Sequence, residues 1–502
     1  MQHRLHGLAE NPALPPDLLE RLIAAADEEL ACTLAGRPDL TSAQLADLAE
    51  FDDAAVRLAY DGRLTAEGID PAARPRVALA LLDAGVGRPE WGRLLAGDPV
   101  ARHREQLAAC PDLPPDVLRA LASDPEIGVV AELALWAPTD LAAELATHPH
   151  AEVRRSVAAN EKAPPAALTA LLTGEGLPAA RSCLVCDRET IPFVHAPDCD
   201  RRGCDLPPDA ACDGSHQSTR HQLQQIALQN PATPAEAAAG FARHPSMLLR
   251  VALAARADLA PQTAARLAED AIPWVRATLA SNPVIGEDVI RALAADRGHD
   301  VQRQLAHHPN LPLEVLDHLA GATRIGSTLL PRIATASRDE VEHLAASRNP
   351  EVRMLVAHRR DLPAAVRDAL AEDCDAKVAK AIAPHPGLTD AQLRTMLARH
   401  GVRVVAKVAA NPDATAMLLE DLAEHRPPVQ KAFREIARHP HATATALLPC
   451  LADSQARPLA ARHPELPPEV IVELLDDEDW QVVEAAAANP SLPRSVMTSL
   501  TP

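Results

Sequence analysis

Aromatic side chains are scarce in this sequence of 502 residues, of which Phe, Trp and Tyr together make up 2%. The apolar residues, 47% of the total, are mainly Ala, Leu and Val. Sheet cores are rich in aromatic and β-branched side chains, whereas Ala and Leu are strong helix formers. The composition therefore argues against a sheet core and favours short, closely packed helices.

Long uncharged apolar stretches are also missing. No segment approaches the about 20 apolar residues that a membrane helix needs, and the opening MQHRLHGLAENPALPP contains no apolar signal-peptide core. We therefore expect a cytoplasmic protein with no membrane partner. The formal net charge of −20 repels phosphate backbones, which disfavours nucleic acid as the main partner but leaves room for a local basic strip.

Familiar catalytic motifs are absent as well. The sequence contains no nucleophile elbow, P-loop, dinucleotide-binding fingerprint or HExxH helix, and the glycines at 174 and 176 lack a strand–turn–helix context. We therefore predict that the protein is not an enzyme.

What the sequence does contain is a phrase that returns along most of its length. The phrase reads N/H/R-P-x-L-P-x-x-V-L-x-x-L-A-x-D, then V-R-x-x-V/L-A, and several successive copies are 26 residues apart. Its opening Asn-Pro or His-Pro dipeptide begins at Asn11, Asn230, Asn282, His308, His385, Asn411, His439, His463 and Asn489. A period of this size is typical of a repeat array, in which each unit stacks on its neighbours to bury a shared core.

Each unit predicts two helices. The first begins near the prolines that follow Leu, because the first helical turn tolerates Pro, and it carries an apolar stripe such as Val470 to Leu475. The second helix carries two apolar residues four positions apart, just before the next dipeptide. These pairs are Val153/Val157, Leu249/Leu253, Val275/Leu279, Val301/Leu305 and Val404/Val408. The Asn or His before Pro is expected to end the second helix.

An aspartate recurs twelve positions before the dipeptide, where its carboxylate is expected to cap the second helix and complement the helix dipole. These residues are Asp270, Asp296, Asp373 and Asp477. An arginine recurs at one position of the second helix, at Arg154, Arg250, Arg276 and Arg353. Such a row could bind acidic or phosphate groups of a partner, but we favour an internal ladder in which each arginine pairs with an aspartate.

Histidines, single cysteines and two tryptophans have structural interpretations in this scheme. The histidines mark successive repeat junctions, where we expect them to cap helices instead of binding a metal. Trp274 and Trp480 lie just before second-helix pairs, where they contact a partner or pack at the rim of the core. Four isolated cysteines are expected to pack as small apolar side chains, namely Cys32, Cys110, Cys374 and Cys450.

The repeat phrase resembles that of the leucine-rich-repeat-variant family, bacterial relatives of HEAT-like helical solenoids. The resemblance covers most of the chain and is clearest from Asn230 onwards, although the repeat here is slightly longer than is usual in the family. It implies an all-α solenoid in which αα or α/3₁₀ units build a superhelix, and it implies no activity. We predict N-terminal repeats over residues 1–182, with an irregular stretch at 51–99, and C-terminal repeats over 217–502.

Between the two predicted arrays lies a segment of different chemistry, residues 183–216. Five of the nine cysteines fall within it, and its apolar residues are too few to form a core of their own. Thiolates in C-x₂-C and C-x₄-C pairs can bind one metal ion, whereas disulfides are disfavoured in the cytoplasm. We predict an inserted metal site with Cys183, Cys186, Cys199 and Cys204 as ligands, and Cys212 and His216 as further candidates.

Several identities of this site stay open. Closed Cys₄ sites commonly hold structural zinc, which is our first interpretation. All-cysteine ligation also suits an iron–sulfur cluster. The resemblance adds weight to that second interpretation, because leucine-rich-repeat-variant proteins are known for a 4Fe-4S cluster on a cysteine-rich module, although theirs precedes the repeats. The C-D-G-S-H at 212–216 resembles the ligand end of two-iron CDGSH proteins but lacks their C-x-C pair, and free or disulfide-bonded thiols are the remaining alternative.

Three functions are compatible with these patterns. The first is a non-enzymatic scaffold that binds a protein partner on its concave or insertion surface and uses the metal structurally. The second is an iron–sulfur redox or sensor protein. The third is a HEAT-like enzyme that acts on nucleic acid or on a protein-bound tetrapyrrole, which the acidic balance and the missing motifs disfavour.

Overall fold

The computed structural model describes residues 2–183 and 217–502. These residues form helices joined by short turns. No strand occurs among them, and an isolated bridge links His150 and Ser182. The predicted all-α repeat architecture is confirmed for this part of the chain. Within the same two ranges, no helix is both long enough and apolar enough to cross a membrane.

The helices are short, and first and second helices of successive repeats alternate along the sequence. Those before residue 184 are α1 (Gln2–Glu10), α2 (Pro16–Ala24), α3 (Glu28–Ala35), α4 (Ser42–Leu48), α5 (Asp52–Tyr60), α6 (Pro75–Asp83), α7 (Trp91–Leu95), α8 (Ala101–Ala109), α9 (Pro115–Ala122), α10 (Ile127–Trp136), α11 (Thr139–Leu145), α12 (Ala151–Ala159) and α13 (Pro165–Thr173).

The helices after residue 216 continue the same alternation. They are α14 (Gln217–Gln229), α15 (Ala235–Ala239), α16 (Met247–Ala254), α17 (Pro261–Ala268), α18 (Pro273–Ala280), α19 (Glu287–Ala294), α20 (His299–Leu305), α21 (Leu313–Ala322), α22 (Pro331–Ala334), α23 (Arg338–Ala345), α24 (Pro350–Val356), α25 (Ala364–Ala371), α26 (Ala376–Ile382), α27 (Asp390–His400), α28 (Val402–Ala409), α29 (Ala416–Ala423), α30 (Gln430–Ile436), α31 (Ala444–Leu447), α32 (Arg457–Arg462), α33 (Pro468–Leu474), α34 (Trp480–Ala487) and α35 (Arg494–Leu500).

Proline begins many of the first helices, as predicted, including α2, α9, α13, α17 and α33. Two of the first helices, α15 and α31, continue into 3₁₀ turns at Gly240–Arg243 and Leu448–Ala452. Both αα and α/3₁₀ units therefore occur in the described chain. The apolar stripe of α33 is buried at Ile471 and Leu475 and only partly buried between them.

The predicted apolar pairs of the second helices form the core. All ten of these side chains are at most 1% exposed. Second helices of neighbouring repeats pack on each other, for example α18 on α20, while first helices such as α17 and α19 form a parallel outer row of contacts. The stacking buries a continuous apolar stripe that a single helix pair could not bury alone.

The described chain divides into two compact units. One contains residues 1–64 and 316–502, and the other contains residues 65–315. The boundaries predicted at 182/183 and 216/217 fall at the limits of the described residues and stay predictions. The repeat is irregular between α5 and α6, where residues 61–74 contain no helix, and α6 itself is buried along most of its length.

In the unit built from residues 1–64 and 316–502, the first and last repeats of the sequence are neighbours. Helix α1 packs on α34, and α3 packs on α1, as consecutive second helices do elsewhere. Gly7 permits the approach, because a Cβ at this position would collide with the carbonyl oxygen of Glu484 and with Ala487. The stack therefore passes from the last repeat into the first without a break.

Candidate interaction surface

The polar residue at each repeat junction binds the backbone of the preceding junction. Asn489 donates from Nδ2 to the carbonyl oxygens of Ala461 (2.7 Å) and His463 (2.8 Å), and its Oδ1 accepts from the amide of Ser491 (2.8 Å). The same three contacts recur at Asn11, Asn160, Asn230, Asn282 and Asn411. A ladder of buried amides thus joins one repeat to the next.

Histidine fills the same position in a second form of this ladder. The Nε2 of His439 lies 2.8 Å from the carbonyl oxygen of Asn411, and its Nδ1 accepts from the amide of His441 (3.1 Å). These contacts require the neutral ring with the proton on Nε2. Burial lowers the pKa of His439, against a smaller opposite effect of the bond to Asn411. Nδ1 therefore holds the junction turn that follows the helix, as it does in His308 and His463, and this is a turn contact and not the predicted helix cap.

Arginine is a third junction residue, and the sequence interpretation missed its role. Arg37 donates from Nη1 to the carbonyl oxygens of Ala9 (2.7 Å) and Asn11 (2.9 Å), while Asp39 holds its other edge through two hydrogen bonds. The same arrangement recurs at Arg256 and Arg359. The signal was present as Arg-x-Asp at the junction, because the aspartate two residues later fixes the guanidinium.

The recurring arginines of the second helices pair with aspartates twenty residues later, as predicted. Arg276 donates to both oxygens of Asp296 (2.6 and 3.2 Å) and to the carbonyl oxygen of Asp270 (2.5 Å). The hydrogen bonds from Arg276 hold the pKa of Asp296 below its ordinary value, although partial burial acts in the opposite direction. The equivalent pairs are Arg250–Asp270, Arg353–Asp373 and the longer Arg457–Asp477.

The helix-capping role predicted for these aspartates is wrong. Asp270 accepts from the amide of Ile272 (2.9 Å), but Ile272 is itself the N-cap residue of α18 and has no side-chain cap. The carboxylate therefore fixes the turn before the helix. Asp270 lies two residues before the N-cap because its carboxylate also accepts hydrogen bonds from Arg250 of the preceding repeat.

Arg154 is the one predicted ladder arginine that pairs with no aspartate in the described residues. It donates to the carbonyl oxygens of His148 (2.6 Å) and Pro178 (2.8 Å). The reason lies in the sequence after α13, which does not continue with the usual junction and aspartate but runs into residues 174–183. The guanidinium of Arg154 instead binds residues 174–183 to α12 through the carbonyl oxygen of Pro178.

The predicted metal ligands fall mostly outside the described residues. Only Cys183 is described; it is buried beside Ala151 and Ala180, and the amide of Ala151 donates to the adjacent Ser182 carbonyl oxygen (3.0 Å). The other five candidates lie outside the described ranges; they are Cys186, Cys199, Cys204, Cys212 and His216. Within the described ranges, no group of three or more His, Cys, Asp or Glu residues is placed to hold a metal ion.

The isolated cysteines divide into two kinds. Cys110 and Cys450 are buried, as predicted, and burial raises the pKa of each thiol to about 12, so that both stay protonated. Cys374 is exposed, contrary to the prediction, and Cys32 is partly exposed. Cys374 follows Asp373 in the turn before α26, where the aspartate, and not the cysteine, is fixed by a ladder contact.

Both tryptophans lie at the start of second helices and are half exposed. The ring of Trp480 lies beside that of His3, with centroids 5.1 Å apart. Trp274 precedes the buried pair of α18. Each ring therefore presents an apolar surface at the edge of the stack.

Three consecutive second helices, α26, α28 and α30, concentrate positive charge. Their sequences AKVAKAI, VRVVAKVA and QKAFREI contain six cations and one carboxylate. Four of the five lysines in the chain are among them. We call the surface formed by these six side chains the cationic face; its residues are Lys377, Lys380, Arg403, Lys407, Lys431 and Arg434.

The cationic face lies on one side of three stacked helices. On each helix the cations are three or four positions apart, which places them on the side opposite the buried residues. Helix α26 packs on α28, and α28 packs on α30. Lys377, Arg403 and Lys431 occupy the same position, eight residues before their respective junctions. The six charges therefore form a grid across neighbouring repeats.

Most of the cationic face has no partner within the described residues. Lys377 forms an ion pair with Glu351. The other five cations form no ion pair or hydrogen bond there, and four of them are exposed while Arg434 is partly buried. This contrasts with the ladder arginines, whose donors are occupied by aspartates and carbonyl oxygens.

A cavity of about 770 Å³ lies beside the end of α30 in the same unit, among α1, α32 and α34. Its walls carry charges of both signs, and Arg462 forms an ion pair with Glu10 (3.0 Å). A second cavity of about 590 Å³ shares Glu10, Thr33 and Arg462 with it. Both cavities are clefts of mixed polar and apolar lining where the first and last repeats meet.

One contact in the larger cavity resembles part of a catalytic arrangement. The Nδ1 of His6 is 3.0 Å from Oγ1 of Thr33, while Nε2 of His6 is 3.8 Å from Glu29. The Thr33 hydroxyl, however, donates to the carbonyl oxygen of Glu29 (3.1 Å), so it accepts a hydrogen bond from His6 instead of donating one to it. The contact fastens α1 to α3 and lacks the geometry of an activated nucleophile.

Comparison with solved structures returns two neighbours of low similarity. Among solved structures, the chain is similar to "a leucine-rich repeat variant with a novel repetitive protein structural motif", with 17% identity and a TM-score of 0.30, over 54% of this chain and 87% of that one. It is also similar to a chain from the structure of the Pds5-Scc1 complex, with 14% identity and a TM-score of 0.16, over 96% of this chain and 68% of that one.

The chain is thus similar to a leucine-rich repeat variant, as the repeat phrase predicted. TM-scores this low carry no further argument about fold or function. No family model and no curated protein matches the chain. The candidate surface must therefore be judged on its own geometry.

Proposed function

We propose that this protein is a non-enzymatic scaffold that binds a protein partner along its stacked second helices. The observation that carries the proposal is the contrast between satisfied and unsatisfied polar groups. The junction and arginine ladders use their hydrogen-bonding groups within the chain, whereas five cations of the cationic face have no partner among the described residues. Charges that contribute nothing to internal packing are available to a partner.

The ladders also suit the stack to this role. Buried amide and guanidinium groups hold each repeat at a fixed offset from the next, for example through Asn411 and Asn489. A rigid array loses little conformational entropy on binding, which favours recognition of a partner by many weak, regularly spaced contacts. Nothing in this arrangement depends on a chemical step.

The test is affinity capture from a lysate of the source organism with quantitative mass spectrometry. Bait proteins are the wild-type chain and the triple variant Lys380→Glu, Lys407→Glu, Arg434→Glu. A matched control is Arg102→Glu, Arg324→Glu, Arg348→Glu, which changes the net charge equally at exposed arginines outside the cationic face. We expect a discrete set of polypeptides to bind the wild type and the control and to be lost from the face variant.

Capture of no polypeptide by the wild type above a bead control, at physiological salt, would contradict the scaffold proposal. Capture that the face variant retains in full would preserve the scaffold and remove the cationic face as its binding site. Turnover of a small molecule or nucleic acid by the purified chain would favour the enzyme alternative.

We further propose that residues 183–216 bind a metal ion through Cys183, Cys186, Cys199 and Cys204, with zinc as the first candidate and a 4Fe-4S cluster as the second. The density of cysteines supports this, since thiols stay reduced in the cytoplasm expected from the sequence. Metal analysis and an absorption spectrum of anaerobically purified protein distinguish the two. Colourless protein with one zinc supports a structural site, and brown protein with iron and sulfide supports the sensor alternative. Protein without metal contradicts both.

A further inference from the structure

The cationic face differs in charge from the rest of its own unit. At positions equivalent to the cations, α3 carries Glu29, α24 carries Glu351 and α34 carries Glu484. The chain as a whole has a formal net charge of −20. The positive grid is therefore local, and carboxylates on other second helices of the same unit limit its extent.

We propose that the cationic face binds a short, acidic polypeptide segment rich in Asp and Glu. The inference rests on the proposed scaffold function and names the class of partner. Lysine dominates the face, and an ammonium group offers three donors on a flexible stem, which adapts to carboxylates at variable positions without a fixed bidentate geometry. Cations at repeated positions, such as Arg403 and Lys431, match carboxylates that recur along an extended chain.

The size of the face sets the length of the segment. Three helices whose axes lie about 8–10 Å apart span roughly 16–20 Å from the first axis to the third. An extended polypeptide advances about 3.3 Å per residue, so about five to six residues cover that distance. Glu351 lies on α24, the second helix of the preceding repeat, where it neutralises Lys377 and would repel an acidic segment that extends further.

Two observations favour a polypeptide over a nucleic acid. Single-stranded nucleic acids bind through aromatic side chains that stack on bases, and Phe433, the one aromatic residue in α26, α28 and α30, is buried. A phosphate backbone also continues in both directions and would meet the carboxylates of the surrounding surface. A short acidic segment within a neutral partner avoids that repulsion.

The experiment measures binding of fluorescein-labelled decaglutamate to the full chain by fluorescence anisotropy at low and at physiological salt. The proteins are the wild type, the face variant Lys380→Glu, Lys407→Glu, Arg434→Glu, and the control variant Arg102→Glu, Arg324→Glu, Arg348→Glu. We expect the face variant to bind at least tenfold more weakly and the control to change less than twofold. Circular dichroism checks that both variants are folded, since five of the six positions are exposed and Arg434 is partly buried. Competition with unlabelled ten-residue oligothymidylate is measured in parallel.

Three outcomes would overturn the inference. They are no decaglutamate binding by the folded wild type at low salt, equal weakening in the face and control variants, or displacement by the oligonucleotide at concentrations below those needed for unlabelled decaglutamate. A dimer in analytical ultracentrifugation that only the face variant dissociates would assign the face to a second copy of this chain. In each case the scaffold proposal would still hold if wild type and face variant captured the same partner from lysate. The two proposals can therefore fail separately.

Discussion

Two interfaces of the stack can be compared directly: the one between the last two repeats and the one between the last repeat and the first. Asn489 reaches the carbonyl oxygens of Ala461 and His463 at 2.7 and 2.8 Å, across 28 and 26 residues. Asn11 reaches those of Ala487 and Asn489 at 2.9 and 2.7 Å, across 476 and 478 residues. The hydrogen bonds are the same although only one interface is joined by a short stretch of chain, which contains α33. Repeat geometry, and not chain connectivity, thus determines the contact.

The two interfaces differ in what surrounds the shared core. At the interface between first and last repeats, Arg4 donates to the carbonyl oxygen of Leu475 (3.0 Å), and Arg21 donates to those of Thr501 (3.1 Å) and Pro502 (2.8 Å). These contacts have no counterpart in the connected interface, where α33 and its turns already link the second helices. Additional polar contacts therefore accompany the loss of a covalent link. Four sets of variants test how much the core, the junction residues and the surface pairs contribute.

The largest effect is expected from truncating a core side chain at equivalent positions of two interfaces. Leu8 and Leu279 each lie three residues before their junction asparagine and are fully buried. Leu8→Ala and Leu279→Ala should each reduce the free energy of unfolding by about 2–5 kcal/mol, because both leave a cavity between stacked helices. Urea denaturation followed by circular dichroism measures the change. A negligible effect of Leu8→Ala beside a large effect of Leu279→Ala would show that α1 is not packed in solution.

Removing the junction amide should have the next largest effect. Asn11→Ala and Asn489→Ala each leave buried carbonyl oxygens without a donor, which costs about 1–3 kcal/mol. Thermal denaturation of both variants should give similar shifts, since the bonds are the same. Asn310→Ala is the control, because Asn310 is exposed. A much smaller shift for Asn11→Ala than for Asn489→Ala would mean that a short connection is needed to keep the ladder formed.

The histidine form of the ladder should make stability depend on pH. Burial lowers the pKa of His439, so the unfolded chain takes up a proton at a higher pH than the folded chain does. The stabilising contribution is complete above the unfolded pKa of about 6.5 and is lost as pH falls through the folded pKa. His439→Asn should flatten this loss, because Asn makes the same contacts without titrating. Urea midpoints at several pH values measure the effect, with exposed His343→Asn as control; parallel curves for wild type and His439→Asn would refute the assignment.

The smallest effect is expected from the exposed contacts around the first and last repeats. Arg494 and Asp17 form an ion pair of 3.1 Å whose side chains are both largely exposed. Solvent and salt screen such a pair, so Arg494→Ala should change the free energy of unfolding by less than about 1 kcal/mol. A larger loss in low salt would indicate that the surface pairs, and not the core, hold the repeats together.

Periodic features of this molecule were predictable from its sequence. The Arg276–Asp296 pair follows from a constant separation of twenty residues, and the burial of Leu279 follows from helical spacing, because stacking repeats the same environment in every unit. The pairing of the first repeat with the last was not predictable. Helix α1 has the pattern of any second helix, and periodicity does not specify which copy meets which.

The cationic face was only partly predictable from the sequence. The cations of α26, α28 and α30 are visible in the sequence, but ladder arginines such as Arg250 are visible in the same way. Only the contacts separate a guanidinium that is bound internally from one that is not. Cys374 illustrates the same limit, since its neighbours in sequence do not reveal whether a turn residue faces the core or the solvent.

The neighbouring position of the first and last repeats has a consequence for biosynthesis. Residues 1–11 leave the ribosome long before residue 489, on which Asn11 rests. At translation rates of roughly 5–20 residues per second, the interval is on the order of 25–100 s. Throughout that time the side of α1 that carries Leu8 lacks its partner and exposes apolar surface. Of the described repeats, the one that is synthesised first is therefore among the last to be completed.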